Sequence, residues 1–483
     1  MCRMGRRSHG GDGCRLWTKS RSLELDVSAN WCYNLSEHLS VTSVHTGRSP
    51  AVNLLIQDAA YLLRDADRVE RDCDLLVQNQ RIAAVGHDLA APPGTEVIDA
   101  QGCAVIPGLI NAHTHLYQNF LKGMADGLPL VPWCEATLFP MVGVIHHLYR
   151  VEQDERAGYY WSLLGALEMI RGGTTCCMDM DISMESIFQA WQDVGLRGVA
   201  AITLSNRWLP PDLAIPEDIL KAEALDYAAR WRNPDGLVHI ALGPSTPFLC
   251  DEALLIWTRD TARTHDLAVH IHLAETADEV AESLKEKGLR PAQYLDRLGL
   301  LGPRVSAVHC VHIVEEETAA LAASGATVVH CPKSNMKLAD GAAPVPAMMK
   351  AGVPVALGTD GCASNDLLDM WEEMRAAVLL ARVSVGDAAA LSAADVFRMA
   401  TEHGARACGL DAGTLDVGRL ADIAIVDLSG PHLRPVHDIV KTLVYCTRAA
   451  DVRDTIINGR VVMREREITT VDEAALVKEA DAM

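Results

Sequence analysis

The fold is decided by residues 104–115, which read Ala104-Val105-Ile106-Pro107-Gly108-Leu109-Ile110-Asn111-Ala112-His113-Thr114-His115. An apolar run of this kind predicts a buried strand, and the polar residues after it mark the end of that strand. Side chains alternate between the two faces of a strand, so His113 and His115 project in the same direction while Thr114 turns away. Two imidazoles on one face predict half of a metal site.

The other ligands are expected where later apolar strands end in polar residues, and three further stretches have this form. They are Ala268-Val269-His270-Ile271-His272-Leu273-Ala274-Glu275, Ser306-Ala307-Val308-His309-Cys310-Val311-His312 and Val353-Pro354-Val355-Ala356-Leu357-Gly358-Thr359-Asp360. Strands that each end in a His or an Asp are typical of a ring of parallel strands whose C-terminal mouth carries the chemistry. The ordered set His-x-His, His-x-x-Glu, His and Asp predicts a (β/α)8 TIM-type barrel with a metal centre.

Eight strands fit this barrel, because apolar runs alternate with segments of helical spacing from residue 105 to residue 411. The remaining four strands are expected at residues 174–179, 199–204, 238–244 and 327–331. Short alternating runs at residues 51–104 and 412–465 predict two halves of a small β-sandwich domain, since chain termini are often close in space. A helix is expected at residues 466–483, and a disordered extension at residues 1–50.

Several of these stretches resemble the amidohydrolase superfamily of metal-dependent hydrolases. The branch that they resemble holds the 5-methylthioadenosine/S-adenosylhomocysteine deaminases, the guanine and 8-oxoguanine deaminases and the s-triazine hydrolases. The matching stretches are residues 107–115, His272-Leu273-Ala274-Glu275-Thr276, His309-Cys310-Val311-His312, Ser334-Asn335-Met336-Lys337-Leu338-Ala339-Asp340-Gly341 and residues 358–366. The resemblance covers most of the chain after residue 50. It implies a barrel beside a β-sandwich, and an enzyme that removes an exocyclic amino group from a purine-like ring.

The donor set indicates which metal the site would hold. Three neutral imidazoles and a carboxylate suit a catalytic zinc ion with one position left open for water, and hold iron or manganese less specifically. The predicted ligands of one ion per subunit are His113, His115, His272 and Asp360, as the resemblance also implies. Water bound to such an ion ionises near neutral pH, because the cation stabilises hydroxide.

Acid–base chemistry is expected from Glu275, which lies three residues past His272 and can face the open coordination position. In the resembled deaminases this Glu moves a proton from the water to the ring nitrogen, and such help is typically worth about 10² to 10⁴ in rate. His309 is expected to hydrogen-bond the attacking hydroxide, and Asp360 to accept a proton from it. The predicted reaction is addition to an aromatic carbon followed by loss of ammonia.

Candidate substrate contacts lie in the loops after the strands. They are Trp133, Ser245, His312 and Ser364. Trp133 follows the first barrel strand and is expected to stack on a planar heterocycle. Ser364 is equally well explained as an N-cap of the helix expected at residues 367–381, and His312 as a packing residue. Residues 334–338 are expected to form a loop that lines the pocket.

Other histidines and carboxylates have a simpler interpretation. His270 lies two residues before His272 on the same face of the strand, one layer deeper in the barrel. We therefore expect it to be a hydrogen-bonded core residue. Asp179 and Asp181 are expected to be structural.

The prediction of which heterocycle is the substrate depends on two positions, at which the sequence departs from the resembled nucleoside deaminases. Those enzymes use a Glu and a His for ribose recognition where this chain has Val142 and Ser245. A nucleoside deaminase is the first choice because the remaining motifs match it. The alternatives are a guanine, 8-oxoguanine or pterin deaminase and an s-triazine aminohydrolase or chlorohydrolase. Hydrolysis of a cyclic amide is less favoured, because the fourth strand offers no Lys or Glu to bridge two metal ions.

Composition limits the partners and the compartment. The chain carries 43 Lys and Arg against 64 Asp and Glu, a formal net charge of −21. Such a charge repels polyanions, so neither nucleic acid nor an acidic membrane is an expected partner. The expected partners are a small aromatic N-heterocycle, water and further copies of the chain in a homo-oligomer. Fourteen cysteines, many of them inside predicted strands, suit buried reduced thiols in a cytoplasmic enzyme.

Overall fold

The computed structural model describes residues 53–182, 185–211, 213–231, 233 and 236–482. The extension expected at residues 1–50 lies outside these described residues. Within them, every cysteine is a free thiol. None of the described helices is long and apolar enough to cross a membrane.

Strands and helices alternate through the middle of the chain, and strands dominate both ends. The strands are β1 (Asn53–Ala59), β2 (Tyr61–Leu63), β3 (Val69–Glu70), β4 (Cys73–Gln78), β5 (Arg81–Gly86), β6 (Glu96–Asp99), β7 (Cys103–Pro107), β8 (Leu109–Thr114), β9 (Thr174–Asp179), β10 (Arg197–Leu204), β11 (Val238–Pro244), β12 (Ala268–Leu273), β13 (Val305–His309), β14 (Thr327–His330), β15 (Val355–Leu357), β16 (Ile423–Asp427), β17 (Val452–Ile457), β18 (Arg460–Arg464) and β19 (Glu467–Ile468).

The helices that follow these strands are mostly short. They are α1 (Leu130–Trp133), α2 (Phe139–His146), α3 (Arg156–Arg171), α4 (Glu185–Val194), α5 (Glu217–Arg230), α6 (Glu252–His265), α7 (Ala277–Lys287), α8 (Pro291–Arg297), α9 (Glu315–Ser324), α10 (Pro332–Lys337), α11 (Val345–Lys350), α12 (Cys362–Asn365), α13 (Met370–Val385), α14 (Ala393–Met399), α15 (Glu402–Cys408), α16 (Ile439–Cys446) and α17 (Glu473–Ala480). Short 3₁₀ helices lie at Leu116–Leu121, Pro431–Leu433 and Ala449–Asp451, and π-helical turns at Cys134–Leu138 and His147–Val151.

The barrel is a sheet of eight parallel strands, β8 to β15, arranged in sequence order. All eight strands expected from the apolar runs are present, and the predicted (β/α)8 fold is confirmed. Parallel strands in this order place all their C-terminal ends at one face of the barrel. The residues that follow the strands therefore meet there.

The seam between β8 and β15 closes through specific polar contacts. Asn111 accepts a hydrogen bond from the Thr359 backbone N–H at 3.0 Å, and its amide donates to the Thr359 hydroxyl at 2.7 Å. The backbone N–H of Asp360 donates to the His113 carbonyl at 3.0 Å. Gly358 is required at this seam, because a Cβ there would lie 2.8 Å from the Cβ and backbone nitrogen of His113.

Two further sheets, built from both ends of the chain, form the β-sandwich. One has the order β5-β4-β1-β6, and the other has the order β19-β18-β17-β16-β7-β2-β3. Their facing side chains make a separate apolar core that includes Leu54, Leu75, Val105, Ile423 and Ile456. The domain boundary expected at residue 105 falls inside β7, which pairs with β16. The first barrel strand instead begins after the Gly108 break.

The caps of two helices near the site explain where those helices begin. Thr276 caps α7 by accepting a hydrogen bond from the Glu279 N–H at 3.2 Å. Asp369 caps α13 by accepting from the Trp371 N–H at 2.8 Å. The N-cap expected at Ser364 is therefore wrong, because this helix is capped by Asp369, five residues later.

A buried ion pair joins the barrel to the sandwich. Arg197 on β10 is fully buried, and its guanidinium donates to both carboxylate oxygens of Asp422, at 2.8 and 3.1 Å. The same guanidinium donates to the Asn458 side chain at 2.9 Å. Bidentate charge-assisted hydrogen bonds of this kind are strong, and removal of one partner leaves an uncompensated buried charge.

Replacement of Arg197 by Met is predicted to destabilise the protein by about 3 to 5 kcal/mol, because Asp422 then stays buried without its cation. The measurement is the apparent melting temperature from circular dichroism. The control is Arg304→Ala, which breaks an exposed pair with Asp266 and is expected to leave the melting temperature unchanged. Equal melting temperatures for the two variants would contradict the role given to the buried pair.

Candidate active site

Five side chains from four strand ends converge at the C-terminal mouth of the barrel. They are His113 and His115 at the end of β8, His272 on β12, His309 on β13 and Asp360 after β15. The Nε2 atoms of His113 and His115 both lie 3.3 Å from Oδ1 of Asp360. The Nε2 atoms of His115 and His272 lie 3.2 Å apart. The donor atoms of these side chains form two overlapping groups that could hold a metal ion, and within each group they lie within 4.8 Å of one another. One group is His113, His272 and His309, and the other is His113, His115 and Asp360.

Hydrogen bonds on the far side of each ring fix the tautomers of His115 and His272. Nδ1 of His115 lies 2.5 Å from the Met180 carbonyl, and Nδ1 of His272 lies 2.7 Å from the Ser245 carbonyl. A carbonyl can only accept, so each Nδ1 carries the proton and each Nε2 carries a lone pair. Two lone pairs therefore face each other across 3.2 Å.

A longer chain of hydrogen bonds orients His113. Its Nδ1 lies 2.8 Å from Nε2 of His270, whose Nδ1 lies 2.6 Å from the Ser306 hydroxyl. The hydrogen of the Ser306 hydroxyl is donated to the Val269 carbonyl or to the Met178 sulfur, and neither of these groups can donate in return. The hydroxyl oxygen therefore accepts the proton of His270 Nδ1. The protons therefore run from His113 toward Ser306, and Nε2 of His113 also carries a lone pair. This Nε2 atom is buried and makes no hydrogen bond.

These tautomers provide the test of whether a cation fits. Three imidazole lone pairs and one carboxylate oxygen converge, and each is an acceptor. Burial lowers the pKa of His113 well below its ordinary value and lowers the pKa of His272 to about 3, so neither ring supplies a proton. A divalent cation would satisfy all four acceptors, and three nitrogens with one oxygen form a typical zinc donor set. The residues present therefore fit a metal ion.

Asp360 is held in place through its other oxygen. Oδ2 accepts hydrogen bonds from the hydroxyls of Ser334 at 2.6 Å and Ser364 at 2.9 Å, which leaves Oδ1 facing the imidazoles. Asp360 and His309 both have left-handed backbone conformations, with φ of 62° and 67°. Such conformations are rare for residues other than glycine and cluster at functional sites.

Glu275 faces the same space from the loop after β12. Its Oε1 lies 3.6 Å from Nε2 of His309. Burial raises the pKa of Glu275 well above its ordinary value, and the charges of Asp340 and Asp360 raise it further. A carboxyl group whose pKa is raised in this way is suited to general acid–base chemistry.

The comparison with known proteins agrees with this geometry. The amidohydrolase family matches residues 104–462. The chain belongs to the amidohydrolase family. Its members are hydrolases, and the protein is accordingly an enzyme that acts on C–N bonds other than peptide bonds.

Individual relatives cover nearly the whole chain. A 5'-deoxyadenosine deaminase of Methanothermobacter thermautotrophicus is 40% identical over 422 residues, which are 86% of this chain and 95% of the relative. A 5-methylthioadenosine/S-adenosylhomocysteine deaminase of Syntrophobacter fumaroxidans is 40% identical over 88% of this chain and 96% of the relative. The crystal structure of an adenosine deaminase from Xanthomonas campestris with bound zinc superposes with a TM-score of 0.83, at 36% identity, and covers 89% of this chain and 97% of that one.

The remaining predicted residues of this amidohydrolase take supporting positions. Trp133 ends α1 and is buried against Leu121, Leu338 and Ala363. Ser245 orients His272 through its carbonyl group. Nε2 of His312 lies 2.9 Å from the Asp340 carbonyl, so this ring anchors a loop.

Two carboxylates that sequence analysis left as structural hold the chain that leaves β8. Asp179 accepts a hydrogen bond from the Leu116 N–H, and Asp181 accepts from the Tyr117 N–H, both at 2.9 Å. Asp181 also accepts from the Trp161 indole N–H at 3.0 Å. In this way the pair fixes the backbone directly after His115.

The prediction of a loop at residues 334–338 is wrong, because α10 covers most of this segment. Pro332 at the start of α10 supplies the fixed φ that suits a first helical turn. Lys337 on this helix forms an ion pair with Asp366. Sequence analysis also missed the contacts that α10 makes with the site through Ser334 and Asn335. Their position directly after a barrel strand was the available signal.

Replacement of His270 by Phe is predicted to weaken zinc binding by about 10- to 100-fold, because His113 loses the acceptor for its Nδ1 proton. The measurement is competition with a chromophoric chelator. The control is His239→Phe. His239 is the second residue of β11 and therefore lies toward the N-terminal end of the barrel, away from the cluster at the C-terminal mouth. Equal zinc affinity of the His270 variant and the unchanged protein would contradict the hydrogen-bond chain described above.

Proposed function

We propose that the protein is a zinc-dependent deaminase of adenine nucleosides, including those modified at the 5′ position. Water would replace the exocyclic amino group at C6, with release of ammonia and formation of the corresponding oxopurine nucleoside. The observation that carries this proposal is the buried Glu275 carboxyl group, 3.6 Å from Nε2 of His309, beside a cluster of acceptors that fits a metal ion. Relatives at 40% identity over most of the chain, named for deamination of such nucleosides, support it.

In this proposal one zinc ion per subunit is held by His113, His115, His272 and Asp360, and iron or manganese could take the same donors. When bound, the ion supplies a nucleophile at neutral pH by lowering the pKa of water. The protein's contribution is to fix the ligand geometry. The seam contact between the Asp360 N–H and the His113 carbonyl serves this purpose, because it ties the last ligand to the first.

Glu275, His309 and Asp360 are the proposed catalytic residues. Glu275 would give its proton to the ring nitrogen beside the attacked carbon, which makes that carbon more electrophilic. Nε2 of His309, 3.6 Å from Oε1 of Glu275, would hold the attacking water in line. Oδ1 of Asp360 faces the imidazoles and would accept one proton from that water and pass it to the departing amino group. The second proton of the water would return to Glu275 when the carbonyl group forms at the attacked carbon.

The α1 segment is the proposed cover of the site. Burial and then the charges of Glu275 and Asp360 raise the pKa of Cys134 to about 12, so the residue after Trp133 lies near both carboxyl groups. The stacking of Trp133 on the base stays a prediction, and so does substrate contact by Ser245, His312 and Ser364. The Ser245 carbonyl, Nε2 of His312 and the Ser364 hydroxyl are each hydrogen-bonded within the protein. These contacts favour a positioning role for the three residues.

Cytoplasmic location is also part of the proposal, because free thiols buried in strands suit a reducing compartment. The homo-oligomer expected from the sequence stays a prediction.

Zinc-loaded protein is predicted to release ammonia from 5'-deoxyadenosine, 5'-methylthioadenosine or S-adenosylhomocysteine. The measurement is an ammonia assay that also includes adenosine, guanine, 8-oxoguanine, isoxanthopterin and aminated triazines. Turnover of the adenine nucleosides above all others is the expected result. Turnover of free bases or triazines alone would contradict the proposed substrate class.

Glu275→Gln serves as the inactive control in this assay. The variant is expected to bind one zinc ion per chain while losing about 10² to 10⁴ in rate, because an amide cannot carry the proton. Glu282→Gln on the exposed side of α7 is the matched variant, and it is expected to keep full activity because its partner is Lys285 at the surface. Full activity of the Glu275 variant would rule out its proposed role.

A further inference from the structure

Asp340 lies directly after α10, in a short loop whose backbone is fixed at both ends. Its N–H donates to the Asn335 carbonyl at 2.9 Å, and its carbonyl oxygen lies 2.9 Å from Nε2 of His312. The flanking residues Ala339 and Gly341 both have positive φ, at 60° and 126°. Since both backbone polar groups of Asp340 are engaged, the loop presents its carboxylate in a defined position.

The same segment is anchored on the active site by two earlier contacts. Ser334 donates to Asp360 at 2.6 Å, and Oδ1 of Asn335 lies 3.0 Å from Nδ1 of His309. The helix that carries these two residues leads directly into Asp340. The position of the Asp340 carboxylate is therefore set relative to the proposed reaction centre.

The carboxylate of Asp340 has no partner within the described part of the protein. Its Oδ2 atom is buried and accepts no hydrogen bond. Burial raises the pKa of Asp340 to about 7, and the charge of Asp360 adds to that effect. A buried acceptor without a donor costs free energy, and a ligand that brings a donor recovers it.

Asp340 lies beside the loop that carries Glu275, because its carbonyl oxygen contacts Nε2 of His312, whose backbone N–H donates to the Ala274 carbonyl at 2.9 Å. Among the neighbouring charges that raise the pKa of Glu275, that of Asp340 contributes most, ahead of Asp360. Asp340 and Glu275 thus border one space. In the proposed function Glu275 meets the purine ring, so Asp340 meets the part of the substrate attached to that ring.

Adenine nucleosides have few hydrogen-bond donors beyond the ring. The exocyclic amino group faces the metal ligands in the proposed reaction, so in 5'-deoxyadenosine and 5'-methylthioadenosine the ribose 2′- and 3′-hydroxyls are the donors that remain. Two adjacent hydroxyls match the two oxygens of one carboxylate. Val142 packs against the apolar core, so position 142 offers no polar side chain to the diol.

We propose that Asp340 binds the vicinal 2′,3′-diol of the ribose and is a specificity-determining residue of the enzyme. This assignment rests on the proposed function, because it requires that the substrate be a nucleoside. It explains how a pocket without a Glu at position 142 or a His at position 245 can still hold a sugar. It also gives a role to the half-buried Asp340, whose Oδ2 atom accepts no hydrogen bond from the described part of the protein.

The test compares adenosine with 2′,3′-dideoxyadenosine, which differ only in the diol, in the zinc-loaded protein and in Asp340→Asn. The unchanged protein is expected to prefer adenosine by at least about 10²-fold in kcat/KM, because a site built to hydrogen-bond a hydroxyl rejects its absence. Asp340→Asn is expected to lose about 10- to 100-fold on adenosine, mainly through KM, and to change little on the dideoxynucleoside.

Two variants complete the design. Asp340→Ser also removes the carboxylate. The melting temperature of each variant shows whether a loss of activity comes from the missing carboxylate or from a loss of the fold. Glu372→Gln is the matched carboxylate control. Glu372 lies on α13 and forms an ion pair with Lys333 of α10. The substitution is expected to leave both kcat/KM values unchanged.

Each alternative outcome has a separate meaning. Equal losses on both nucleosides in well-folded Asp340→Asn would overturn the assignment, because Asp340 would then act on the reaction and not on the diol. Unchanged kinetics on both would overturn it as well. If the unchanged protein turned over neither nucleoside nor any other adenine nucleoside, the proposed function itself would fail.

Discussion

Closure of the barrel between β8 and β15 is the constraint on which the active site depends. A single backbone hydrogen bond joins the Asp360 N–H to the His113 carbonyl, and Gly358 allows the two strands to approach. This contact brings residues that are far apart in sequence to within 3.3 Å. Because the strands between them are parallel and ordered, His272 and His309 arrive at the same mouth. Without closure, the first and last donors of the cluster would not meet.

Burial then gives these side chains their chemistry. Imidazoles taken out of water stay neutral, and carbonyl or hydroxyl partners fix their protons on the outer nitrogens, so the inner nitrogens are free as donors to a cation. The same burial raises the pKa of Glu275 well above its ordinary value. One environment therefore suits the residues to different roles: neutral imidazoles and Asp360 to a cation, and Glu275, with its raised pKa, to acid–base work.

The parts of this architecture that depend on local pattern could be predicted from the sequence. Apolar runs identified the eight strands, and alternation within β8 placed His113 and His115 on one face. The boundary at residue 105 missed β7, because Ala104-Val105-Ile106 continues without a change of polarity into the barrel strand, and only strand pairing assigns it to the sandwich. The short α10 was missed because six residues carry too little periodicity. The unpartnered state of Asp340 depends on contacts from three separate segments, which sequence alone does not reveal.

The central claim is that three imidazoles and one carboxylate hold a zinc ion while Glu275 stays free of it. X-ray absorption at the zinc edge of the loaded protein tests this most directly, because it counts nitrogen, oxygen and sulfur neighbours. The account predicts three imidazole nitrogens at about 2.0 to 2.1 Å with oxygen completing the shell, and an unchanged spectrum in Glu275→Gln. A sulfur neighbour at about 2.3 Å, fewer than three imidazoles, or a spectrum that changes in that variant would contradict it.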